Sequence, residues 1–156
     1  MAIRNIIEEP NEILRKVCRP VLKVNDHIRQ LLDDMHDTMI AADGVGLAAP
    51  QVGVLRQVVV ISDGADGFID LINPEILSTE GEQTGEEGCL SVPGRAGIVT
   101  RPMKVTFRGL NRDGEMMTYE GEGLLARAVC HEVDHLKGQL YIDIMTEEIF
   151  DDEEDQ

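Results

Sequence analysis

The sequence lacks the features that would place it outside a reducing cell. Its three cysteines are an odd number at unrelated spacings, which argues against a disulfide framework. Met1 to Pro10 is mixed and charged, without the apolar core of a signal peptide. No stretch approaches the roughly 18 consecutive apolar residues of a membrane span. A soluble, cytoplasmic protein without membrane contact is the expectation. Positive charge is scarce too: 14 Lys and Arg stand against 30 Asp and Glu, a formal charge of −16. That balance opposes nonspecific attraction to phosphate backbones, so no direct nucleic-acid binding is expected. There is also no internal repeat and no domain linker.

What is present is a chain of 156 residues, 42% of them hydrophobic, enough to bury a substantial core as one domain. That domain is expected to span residues 1–146. Residues 147–156 are mostly carboxylates, Asp151 to Asp155 without interruption, and are expected to form a solvated, disordered tail.

Apolar periodicity predicts an α+β fold. A short helix is expected over residues 11–17. A longer one is expected over 25–42, where Ile28, Leu31, Leu32, Met35 and Met39 make one stripe and Gly44 follows. Strands are predicted over 57–61, 68–72, 75–79, 103–109 and 115–119, with Asp113-Gly114 as a hairpin turn between the last two.

The chemistry begins at His131-Glu132-Val133-Asp134-His135. On a helix, residues four apart stack about 6 Å apart along one face, close enough to hold one cation between two imidazoles. Good helix formers from Leu124 to Cys130 lead into the motif, and Lys137-Gly138 suits a C-terminus. Leu124, Ala128, His131 and His135 share one stripe, so the metal-binding face continues as an apolar wall. Catalytic metal sites usually have three protein ligands and an open position. No His follows His135, and the acids after it, Asp143 to Asp155, lie mostly in an unpatterned charged run, so the third ligand should come from elsewhere. Cys89, in the extended segment Glu86-Glu87-Gly88-Cys89-Leu90-Ser91-Val92-Pro93-Gly94, is the candidate; taken alone it reads equally as a small buried hydrophobe.

Three blocks taken together resemble the peptide deformylases: Gly44-Val45-Gly46-Leu47-Ala48-Ala49-Pro50-Gln51, Glu87-Gly88-Cys89-Leu90-Ser91, and His131-Glu132-Val133-Asp134-His135-Leu136. They stand in that family's order and at its spacings, with family texture from about Ile6 to Asp143. The resemblance implies antiparallel or mixed sheets packed around a central metal-binding H-E-x-x-H helix, with helices N-terminal to it. It implies one divalent metal ion held by Cys89, His131 and His135, with iron(II) (Fe2+) as the native ion and Zn2+, Ni2+ or Co2+ able to substitute. Glu132 would be the general base and acid. The Gln51 amide and the Leu90 backbone N–H would steady the attacked oxygen, and Gly46 would bond the substrate backbone.

The implied substrate is the N-formyl-methionyl end of a nascent polypeptide, with formate as product and a transient ribosome contact, for which the acidic C-terminal stretch offers no basic segment. An apolar pocket along Leu124 and Ala128 would suit the methionine side chain. Cys130 departs from the Gln that many relatives carry there; with Cys18, it reads as a packing residue. Other readings are a zinc-type metallopeptidase, a relative acting on another N-acyl substrate, and a closed, nonenzymatic metal module. The last would have no use for Glu132 or Gln51.

Overall fold

A strand that is apolar at every position needs cover on both faces, because successive side chains point to opposite sides. Val58–Ser62 is such a strand over its first four residues: Val58, Val59, Val60 and Ile61 are all fully buried. Val58 and Val60 enter one apolar cluster, with Leu31, Leu32, Met35 and Met39. Val59 and Ile61 enter another, with Ala128, Val129 and Val133. Each buried Val or Ile contributes roughly 1.5 to 3 kcal/mol. The strand therefore anchors two layers at once.

The computed structural model describes residues 2–63 and 67–149. Helix α1 is Asp26–Ala41, capped by the Asn25 side chain on the Ile28 N–H. Strands β1 (Gly46–Ala48), β2 (Val58–Ser62), β3 (Phe68–Glu80), β6 (Lys104–Leu110) and β7 (Met116–Glu122) form a five-stranded antiparallel sheet in the order β1-β2-β3-β6-β7. Strands β4 (Gln83–Cys89), β5 (Val92–Arg101) and β8 (Glu147–Ile149) form a second antiparallel sheet, β4-β5-β8. Helix α2, Leu124–Leu136, packs against β1, β2 and β7 of the large sheet and β5 of the small one. Helix α1 covers the other face of β1 and β2.

The α+β class and the antiparallel pairing agree with the sequence expectation, and several boundaries move. Residues 11–17 hold only a 3₁₀ turn, Glu12–Arg15. The strands expected at 68–72 and 75–79 are one strand, β3, whose register shifts at Asn73-Pro74, where Asn73 has φ 55°. Its side chain bonds both the N–H and the carbonyl of Val21, at 2.7 and 2.8 Å, which holds the irregularity in place. Strand β5 is not among the expected strands: Pro93, Gly94 and Gly97 interrupt its first half and mask the β-branched Ile98, Val99 and Thr100 that follow.

The domain boundary at 146 is corrected. Residues 147–149 are not tail; they pair with Ala96, Gly97 and Ile98 of β5, and Arg95 bonds Glu148 through two N–H groups at 2.8 and 2.9 Å. The carboxylates that read as a solvated run include one that a facing arginine holds. The rest of the expected tail, 150–156, lies outside the described residues.

Candidate active site

Two elements deliver the reactive side chains. On α2, His131 and His135 stand one turn apart, with ring centroids 5.1 Å apart. Cys89 is the last residue of β4, paired with Val92 across the Leu90-Ser91 turn, so a hairpin end fixes its thiol. Its Sγ lies 3.3 Å from His135 Nε2. One ligand atom from each of Cys89, His131 and His135 lies within 4.8 Å of the others.

Glu132 lies beside this cluster and is 4% exposed. Its Oε1 has no hydrogen-bond partner among the described residues. Burial pushes its carboxyl up to about 7, against the pull of His131. A buried carboxylate with an unused oxygen is poised to take a proton. The backbone of Gly46 makes room for it: a Cβ there would fall 2.6 Å from Glu132 Oε2.

Gln51 sits in the 3₁₀ turn Ala49–Val52, after β1. Its Oε1 accepts the Ala48 N–H at 2.9 Å, which sets the amide's orientation. Its Nε2 donates to Ser91 Oγ at 3.0 Å and faces Cys89 Sγ at 3.6 Å. A cleft of about 350 Å³ opens over these groups, lined by Gly46, Gln51, Cys89, Leu90, His131 and Glu132, with Leu124 and Ala128 on one wall. Ala128 is buried, whereas Leu124 is 67% exposed and forms the rim. The fold thus places eight of the nine residues singled out in the sequence around one cleft; His135, fully buried, lies beneath it.

The sequence reading gave no role to the network behind the imidazoles. Glu87 accepts from His131 Nδ1 at 2.6 Å, from Arg101 Nη2 at 2.7 Å and Nε at 3.0 Å, and from Arg127 Nη1 at 2.8 Å. Arg101 also donates to Asp134 at 2.7 Å. Burial alone would raise the Glu87 carboxyl, but His131 and Arg101 hold it at about 2. Burial opposes charge on His131 as well; Cys89, Glu132 and Glu87 overcome it and lift the ring to about 10. His135 moves the other way, to about 3, through burial and the charge of its neighbour His131. Glu87 could have been found from its place two residues before Cys89 in an extended segment, which puts both on one face. Arg101, 14 residues further on, has no such signal. Cys18 and Cys130 lie in the core, their thiols pushed by burial up to about 11.

A thiol and two imidazoles gathered next to a buried carboxylate make the chemistry of the H-E-x-x-H metal hydrolases available at the cleft. Comparison with known proteins narrows this class. The polypeptide deformylase family model matches residues 3–149. A peptide deformylase of Acetivibrio thermocellus is 58% identical over 153 residues, covering 98% of this chain and 89% of that protein. One from Thermoanaerobacter pseudethanolicus is 53% identical over 156 residues, covering 100% and 98%. The crystal structure of a Legionella pneumophila peptide deformylase superposes with a TM-score of 0.90 at 46% identity, covering 93% of this chain and 87% of the other. The chain belongs to the polypeptide deformylase family. It is a hydrolase that removes the N-formyl group from nascent polypeptides, and its family uses a divalent metal. Among the described residues no helix is long and apolar enough to cross a membrane.

Proposed function

We propose that deformylation in this chain is carried out at one divalent cation held by Cys89 Sγ, His131 Nε2 and His135 Nε2, with Glu132 moving the proton. The observation that carries this reading is the gathering of three donor atoms within 4.8 Å beside a buried carboxylate that lacks a partner. The donor set fits such an ion. Glu87 occupies His131 Nδ1 and leaves Nε2 for a metal, and Cys89 Sγ and His135 Nε2, 3.3 Å apart, are close enough that both would hold one ion. When bound, the cation supplies Lewis acidity for the attacking water and the formyl carbonyl.

The protein's own groups do the rest. Glu132 takes the water's proton and passes it to the departing amine, a transfer typically worth about 10² to 10⁴ in rate. Gln51 turns an N–H, and Leu90 its backbone N–H, toward the developing oxyanion; one such donor is worth roughly 3 to 4 kcal/mol. Gly46 lies on β1, an edge strand, whose open side offers backbone hydrogen bonds to an extended peptide. The methionine side chain packs along Ala128, with Leu124 closing over it. The described chain acts as one catalytic domain, in the cytoplasm, on formyl-methionyl nascent chains. A sulfur and two nitrogens suit iron(II), zinc, nickel or cobalt; iron(II) is the resident ion proposed.

Formate release from formyl-Met-Ala-Ser by anaerobic, iron(II)-loaded protein tests the reading. Turnover is expected, with a loss of at least 100-fold in Glu132→Ala. Absence of formate overturns the function. Full activity in the variant overturns the proton-transfer role alone. Unchanged activity in Leu124→Arg removes the rim from the methionine pocket.

A further inference from the structure

Carboxylates are plentiful in this chain, and among the described residues eight of its ten arginines hold one in an ion pair. The two that do not are Arg19 and Arg56. They stand side by side, joined through their backbones by an isolated β-bridge, and Arg56 spends one N–H on the Leu55 carbonyl at 3.3 Å. Both line one open groove of about 470 Å³ together with Lys23 and His27. Lys23 also has no ion pair among the described residues, and Asp26, the nearest acid in sequence, is bonded to Arg29. Adjacent unpaired cations repel each other, and they collect here on a chain whose formal charge is −16.

We propose that this groove docks the protein onto the phosphodiester backbone of structured RNA. Its cations line an open groove of about 470 Å³, room for a run of phosphates and more than one compact anion needs. No Phe, Tyr or Trp lines it, so base stacking is absent and contact falls to the backbone. A concave surface admits a phosphate ridge, whereas a flat bilayer would meet only its rims. The excess of carboxylates in the chain, 30 Asp and Glu against 14 Lys and Arg, repels polyanions, so an approach is favoured where cations stand without an acidic partner. The proposal makes this groove a local exception to the expectation, drawn from net charge, that the chain does not bind nucleic acid. RNA is at hand where nascent chains emerge, a step that rests on the deformylase reading. The groove abuts the N-terminus of α1 and the catalytic cleft begins at Asp43, beyond its C-terminus. Sixteen helical residues separate them by about 24 Å.

The test compares the full chain with Arg19→Glu/Arg56→Glu, using a fluorescein-labelled 20-base-pair RNA duplex at several salt concentrations. Wild type is expected to bind, with log K falling against log salt at a slope of about −2, as for two or three phosphate contacts. The double variant is expected to bind at least tenfold more weakly while releasing formate from formyl-Met-Ala-Ser at the wild-type rate. Equal RNA binding by the variant overturns the proposal. So does tighter binding of inorganic phosphate, or of phosphatidylserine vesicles, than of RNA. Failure of formate release in both proteins, with RNA binding still dependent on the arginines, defeats the catalytic reading and leaves the groove standing.

Discussion

His131 Nδ1 and Glu87 Oε1 lie 2.6 Å apart, and the carboxylate, held at about 2, can only accept. Holding a metal requires the ring to be neutral, and the proton it then keeps stays on Nδ1, facing Glu87, which leaves the Nε2 lone pair for the ion. Such a partner typically carries 10- to 100-fold of metal affinity. Glu87→Gln is expected to lose about that much, measured by competition with a chromophoric chelator; unchanged affinity would show that the ring is oriented by other contacts. Glu87→Ala should in addition leave Arg127 without an ion pair in the interior and Arg101 with Asp134 alone. A loss of roughly 3 to 5 kcal/mol in urea unfolding is expected.

Gly46→Ala places a methyl group against the Glu132 carboxylate. That carboxylate is the far end of a flexible side chain, so the protein should fold and bind metal normally while the general base is displaced. A fall in kcat of about 100-fold is expected, with metal affinity unchanged. Wild-type kcat would mean that the side chain moves aside without cost.

Ser91 holds the Gln51 amide from below. Gln51→Leu should lower kcat by roughly 10² to 10³. Ser91→Ala frees an amide N–H without deleting it, and is expected to cost less than Gln51→Leu. A larger loss in Ser91→Ala would assign the serine more than a positioning role.

Asp34, on α1, accepts from Arg4 Nε at 3.0 Å, from Gln30 Nε2 at 2.7 Å and from the Ala2 N–H at 2.9 Å. Burial alone would raise its carboxyl, but these bonds bring it below the usual range. A carboxyl depressed on folding stabilises the protein fully above its unfolded value, near 4, and that contribution disappears as pH falls through the folded value. Wild type should therefore lose more unfolding free energy than Asp34→Asn between about pH 5 and pH 2. Parallel pH profiles would assign acid unfolding to other carboxylates.

How much could be read in advance differs by element. Helix α2 and its His pair were legible because a 3.6-residue period is a local property, and β2 because an unbroken apolar run speaks for itself. Strand β5 was hidden by Pro93, Gly94 and Gly97, and β8 by its carboxylates; each exists because of a neighbour that composition does not reveal. In the groove, Arg19 and Arg56 are 37 positions apart in the chain, and their lack of ion pairs is invisible until the other arginines have found their partners.

The sequence by itself determined the local chemistry: two imidazoles one helical turn apart, a carboxylate between them, and a thiol on extended backbone between glycines. Tertiary structure alone decided that Cys89 meets His135 across 46 residues, that Glu87 gathers two arginines behind His131, and that residues 147–149 close a sheet. The reason is that helical spacing follows from the backbone's own geometry, whereas a contact between distant segments forms only when the whole chain has buried its apolar faces and paired the charges caught inside.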